Sequence, residues 1–180
     1  MKTRNIPLLA ALAAAMLLSG CETLGFGKKN NDDEIIPTVT KKKADYGQAY
    51  KDYVELGAQY LQMGRYDLAE PKLQRAIEID SHPPEAWNIL AVLYEEKRDI
   101  ASGNQVYQKL IHSHPEYLLG YTNYATFLCK FDRDSEMQTL LGQMRGRNAE
   151  FKAAAGIAEG NCMQRRGQSG TAENAYKQAL

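Results

Sequence analysis

The chain has 180 residues, 44% of them hydrophobic, enough to bury one ordinary core. Lys plus Arg and Asp plus Glu number 22 each, with no long block of one sign. This balance excludes the basic footprint of a nucleic-acid binder and leaves charge without a preferred partner.

Met1 to Asn5 carry Lys2 and Arg4 and no acid, and Ile6 to Leu18 is apolar, broken only by Pro7. A basic start and a short apolar run have the form of a secretory signal. The run, about 13 residues, falls short of the ~20 that a helix needs to cross a bilayer core. It ends in Leu18-Ser19-Gly20-Cys21, which resembles the bacterial lipobox. The resemblance implies a signal peptide over residues 1–20, removed to leave Cys21 acylated on its sulfur and on its new amine. That covalent lipid is the sole non-protein group expected, with no cofactor and no metal. Each buried methylene contributes ~0.8 kcal/mol, so two or three acyl chains anchor the chain firmly. Glu22, where Asp is the usual inner-membrane signal, favours the periplasmic face of the outer membrane.

Residues 21–46 read as the lipidated cysteine and a flexible tether. Gly25, Gly27, Asn30-Asn31 and Pro37 interrupt small charge clusters, and no helical apolar period runs through them. A coil of about 24 residues spans ~25–30 Å, so a folded domain stands clear of the headgroups. Lys41-Lys42-Lys43 either touches anionic lipid or is simply solvated.

From Tyr50 onward the sequence repeats. Tyr53, Leu56-Gly57, Tyr60, Gly64, Ala69, Leu73 and Ala76 recur 34 positions on as Trp87, Leu90-Ala91, Tyr94, Arg98, Gly103, Tyr107 and Leu110. A second shift gives Tyr121, Tyr124-Ala125, Leu128, Asp132, Met137, Leu141 and Met144; a third, of 35, gives Gly156, Glu159-Gly160, Met163, Gly167, Ala172, Tyr176 and Ala179. The pattern resembles the tetratricopeptide repeat. It predicts an all-α fold over 47–180, a right-handed superhelix of antiparallel helix pairs with units near 50–83, 84–117, 118–152 and 153–180. Small residues at Gly57, Ala69, Ala91 and Ala125 suit close helix approach, and aromatics fill the wedge to the next unit. Gly64 and Gly167 fit a left-handed helix end. Tyr66-Asp67 is expected to cap the second helix, Pro71 to fall near its first turn, and Pro83-Pro84 and Pro115 to separate units. The fourth unit is incomplete at Leu180, so either another chain covers that end or the sequence is a shortened form of a longer array.

Cys129 and Cys162 fall late in the first helices of units three and four. Such helices lie side by side, so the thiols either form a bridge, favoured in an exported domain, or remain separate buried groups. His112-Ser113-His114 sits at a helix end without the neighbours a metal site needs. No phosphate loop or nucleophile–base motif is visible, so a binding module is expected rather than an enzyme. The candidate partner groove lies on the first helix of each unit: Val54, Ala58, Leu61 and Gln62; Asn88, Val92, Glu95 and Glu96; Thr122, Thr126 and Lys130. An amphipathic segment of a protein partner, apolar toward unit one, suits this wall better than a small-molecule substrate.

Lipobox, tether and tetratricopeptide array in this order, with Asn123-Tyr124-Ala125-Thr126-Phe127-Leu128-Cys129 and a second cysteine at Cys162, resemble the type IV pilus biogenesis and stability lipoproteins, the PilF/PilW-type pilotins. Ala125 departs from that family's Gly, and family members carry about six units. The resemblance implies a protein that escorts the pilus secretin subunit to the outer membrane and promotes its assembly. The competing expectation is a tetratricopeptide adaptor for another envelope complex, serving cell-wall hydrolases or barrel assembly.

Overall fold

Each repeat period resolves into two helices whose ends fall where the sequence can satisfy free backbone groups. The computed structural model describes residues 45–179; the expected leader, Cys21 and the tether up to residue 44 lie outside them. The described residues form eight helices and no strand: α1 (Tyr46–Gln62), α2 (Tyr66–Ile79), α3 (Pro84–Glu96), α4 (Ile100–Ser113), α5 (Leu118–Lys130), α6 (Asp134–Arg145), α7 (Ala149–Arg165) and α8 (Ser169–Gln178).

Asp45, Asp99 and Asn148 cap α1, α4 and α7, each accepting from the backbone N–H three residues on at 3.0–3.1 Å. Such a cap stabilises by about 1 kcal/mol. The capping expected of Tyr66-Asp67 is not what α2 uses. Its cap position is Arg65, with no side-chain bond, and Asp67 lies one residue inside the helix. There the carboxylate meets the positive end of the helix dipole instead. Pro71 is likewise deeper than expected, the sixth residue of α2. It is tolerated because it is exposed, where water can take the carbonyl that its missing N–H leaves free.

The turn between paired helices is the same in all four units. The N–H groups of Arg65, Asp99, Arg133 and Gln168 reach back to the carbonyls of Tyr60, Tyr94, Leu128 and Met163 at 2.8–2.9 Å. This bond closes a Schellman turn and requires a left-handed residue just before it. Gly64 and Gly167 fill that position at φ +69° and +75°. Arg98 and Asp132 fill it in the middle units at φ 57° and 54°, where an L-residue is strained by about 1 kcal/mol.

α1, α3, α5 and α7 each touch the next of their set, whereas α2, α4, α6 and α8 touch only the members of that set on either side. The odd-numbered helices therefore form the inner wall. Ala69, Ala91 and Ala125 are fully buried at the crossings. A Cβ on Gly57 would stand 2.7 Å from Leu73, and one on Gly160, the same slot in unit four, would run into the Tyr176 ring. The largest cluster, around Tyr107, Phe127 and Leu128, spans units two to four; smaller clusters around Leu73 and Ala76 hold unit one. In unit four Glu159 stands where Leu56, Leu90 and Tyr124 pack, half-buried and paired with Arg145.

Candidate functional site

The inner wall presents three rows of side chains, one residue from each odd-numbered helix per row. The first row is Val54, Asn88, Thr122 and Ile157; the second Ala58, Val92, Thr126 and Asn161; the third Gln62, Glu96, Lys130 and Arg165. The fourth member of each row was not among the residues singled out from sequence. Shifting Thr122, Thr126 and Lys130 by the same 35 residues that aligned unit four would have found them. Ile157 is 49% exposed, a large apolar group left facing outward.

The structure brings the expected groove residues onto one wall but removes two from its surface. Asn88 and Glu95 are buried, at 8% and 9% exposure. Asn88 accepts from Asn123 Nδ2 at 3.0 Å, tying α3 to α5. Glu95 accepts from Tyr107 OH at 3.3 Å and from Lys130 Nζ at 3.0 Å. Both are interhelical ties rather than open ligand contacts, because buried polar groups must be partnered within the fold. Burial and the charge of Glu95 push the Tyr107 phenol far above its ordinary pKa, so it stays a neutral donor. Lys130 also reaches Glu96 at 3.1 Å. Burial opposes its charge, but the two carboxylates outweigh burial and hold the ammonium above its usual range.

At the α1 end the wall is apolar. Val54 helps line a hollow of about 480 Å³ with Tyr50 and Pro83, beside the charged groups Lys51, Glu55, Asp80 and Glu85. Leu61 is only partly available, since it packs on the cluster of Ala69, Leu73, Leu90 and Leu93. A polar substitution at Leu61 therefore disturbs the core as well as the groove. At the other end, Thr126, Asn161, Gln164 and Arg165 surround a hollow of about 490 Å³.

The sulfurs of Cys129 and Cys162 are bonded to each other, joining α5 to α7 across 33 residues with a Cα–Cα distance of 5.9 Å. Arg166 adds a second tie between the same units. Its guanidinium donates to Asp134 at 2.7 Å and Asp132 at 3.0 Å, and Asp134 and Asp132 hold its pKa above the ordinary arginine value. His112 is exposed in the last turn of α4, and His114 ends that helix with Nε2 buried and unbonded. Among the described residues no group of His, Cys, Asp and Glu is arranged to hold a metal ion, and no helix is long and apolar enough to cross a membrane. The chemistry this wall offers is recognition: one apolar hollow, one lined by amide, hydroxyl and guanidinium side chains, and ion pairs on a helical frame.

Residues 50–83, the first helix pair, match the family model for the tetratricopeptide repeat. Over 122 residues the chain is 30% identical to the type IV pilus assembly protein PilF of Pseudomonas aeruginosa, a match that covers 68% of this chain and 44% of that protein. The chain thus spans less than half the length of this curated relative. Among solved structures, that of Pseudomonas aeruginosa PilF superposes with a TM-score of 0.61 at 23% identity, over 76% of this chain and 62% of that one. The crystal structure of MamA superposes with a TM-score of 0.56 at 17% identity, over 75% and 82%. At these identities the superpositions speak for the fold alone. The chain carries an all-helical tetratricopeptide domain similar in sequence to a pilus assembly protein.

Proposed function

We propose that this protein is an outer-membrane lipoprotein scaffold, held at the periplasmic face through Cys21, that binds the secretin subunit of the type IV pilus and promotes its localisation and assembly. The observation that carries this reading is the 30% identity to PilF over 122 residues. Local features agree with a scaffold. Apart from the buried Asn88 and Glu95, the inner-wall side chains are at least partly exposed, and repeat arrays bind extended partners along such surfaces. A segment with apolar anchors toward Val54 and polar groups toward Arg165 fits its gradient.

The test is a pull-down of the tagged native protein from detergent-solubilised outer membrane, with bound proteins identified by mass spectrometry. Recovery of a secretin supports the reading; recovery of cell-wall hydrolases or barrel-assembly proteins in its place refutes it in favour of an adaptor for another envelope complex. Cys21→Ala tests the anchor separately. The variant is expected to fold normally and to leave the outer-membrane fraction, and retention there would refute lipid anchoring.

A further inference from the structure

Cations along the α5 and α7 ends of the inner wall are not equivalent. Lys130 is taken up by Glu95 and Glu96, and Arg166 by Asp132 and Asp134. Arg165 is exposed, and no carboxylate among the described residues lies within ion-pair distance of it. Among the described residues it is also the single charged group lining the 490 Å³ hollow, with Thr126, Asn161 and Gln164.

The two amides of that hollow share one partner. Tyr176 OH lies 2.8 Å from Asn161 Oδ1 and 3.0 Å from Gln164 Oε1. A phenol has one proton, so it donates to one carbonyl oxygen, and that amide keeps its NH₂ free of the phenol. The walls are fixed as well. The Cys129–Cys162 bond joins α5 to α7 one residue from Lys130 and one residue from Asn161, and Arg166 ties the same two units through Asp132 and Asp134. Arg165, Asn161, Gln164 and Thr126 thus line one opening whose two helices are cross-linked, so little backbone ordering is needed when a ligand enters.

We propose that this hollow reads an acidic side chain, an Asp or Glu carboxylate on a protein segment lying along the inner wall. The inference deepens the scaffold reading above and rests on it. One guanidinium without a carboxylate partner among the described residues matches one singly charged carboxylate, which its planar fork can hold through two parallel bonds. A phosphate dianion would leave a charge unbalanced here. The polarity of the wall then sets the direction of the segment: apolar residues toward the hollow at Val54 and Tyr50, and the acid toward Arg165.

The experiment is selection of a displayed random dodecapeptide library on the immobilised full chain and on its Arg165→Glu variant, both checked for helical content. Peptides enriched on the native protein carry Asp or Glu, and on Arg165→Glu the preference inverts to Lys or Arg. For one selected peptide, replacing its acid by the amide weakens binding about tenfold on the native protein, the scale of a charge-assisted hydrogen bond. The same replacement changes nothing on Arg165→Gln. Enriched peptides without an acidic preference, or equal losses on both proteins, overturn the acid-reading hollow and leave the scaffold reading in place. Failure to enrich any peptide on the native protein counts against the inner wall as a peptide surface and removes this proposal with it.

Discussion

Two glycine-to-alanine changes should have opposite signs. Inside a helix Ala is favoured over Gly by about 1 kcal/mol when its methyl group has room. Gly142 lies within α6, and a Cβ built there meets nothing within 4 Å. Gly142→Ala is therefore expected to stabilise by about 0.5–1 kcal/mol. At Gly57 the same atom would stand 2.7 Å from both Cγ and Cδ2 of Leu73. Ordinary carbon contacts begin near ~3.5 Å, so Leu73 must retreat by roughly 1 Å. Leu73 has 0% exposure and packs against Ala69, Leu90 and Leu93, so retreat means overpacking, which costs about 1–3 kcal/mol. After subtracting the helix gain, Gly57→Ala destabilises by up to about 2 kcal/mol, and the two variants differ by roughly 1–3 kcal/mol. In an array of this size 1 kcal/mol moves the melting temperature by roughly 3–5 °C. Thermal unfolding followed by circular dichroism on oxidised protein reads the difference directly. A Gly57→Ala protein that melts at or above Gly142→Ala would refute the close-approach argument.

Reduction of the Cys129–Cys162 bond, which closes a 33-residue separation, is expected to cost about 3–4 kcal/mol by loop-entropy reasoning. Urea unfolding with and without reductant checks it, and coincident midpoints would show the bond to be energetically idle. Lys130→Met leaves Glu95, whose side chain is only 11% exposed, with Tyr107 as its remaining donor. We expect a loss of about 1–3 kcal/mol in chemical denaturation, with Lys130→Arg close to native. Glu70 supplies a pH signature. Burial pushes its carboxyl up, but hydrogen bonds from Lys97 at 2.6 Å and Tyr94 at 2.8 Å outweigh that and bring it below the ordinary value of 4.5. The unfolded chain binds this proton more readily than the folded one, so the contribution is complete above pH 4.5 and is lost as pH falls through the folded value. Lys97→Met should accordingly be less stable than native at neutral pH and converge with it in acid; parallel stability curves would refute the linkage.

Much of this fold is legible in the sequence because a 34-residue period repeats the same packing problem. The Leu-small dipeptides at Leu56-Gly57 and Leu90-Ala91 mark helix crossings, and Gly64 and Gly167 mark left-handed turns. Repeat register also places the inner wall. It does not say which wall residues remain open. Asn88 and Glu95 occupy wall positions, yet their exposure depends on Asn123, Tyr107 and Lys130, which come from neighbouring helices. Nor does it locate the cap of α2, since Asp67 suits a capping position by type but stands beyond it in the actual turn. Repeat register puts Arg98 and Asp132 in the slot of Gly64, so their left-handed backbone is legible from position though not from residue type. The hollow at Arg165 needed both the extra residue in unit four and the ion pairs that occupy Lys130 and Arg166.

The covalent tie between α5 and α7 also has a mechanical meaning. A pull applied through the chain ahead of Asp45 enters at α1, and α1 is held to α2 and α3 by noncovalent packing alone. Units one and two can peel away in sequence under load. Peeling then meets Cys129, and with the bond intact the stretch from Cys129 to Cys162 contributes no extension even after its helices have lost their packing. The protein would therefore show a shorter contour length when oxidised than when reduced, with the missing length set by those 33 residues. The α5–α7 part of the wall, around Arg165, is what a molecule pulled from α1 would give up after units one and two.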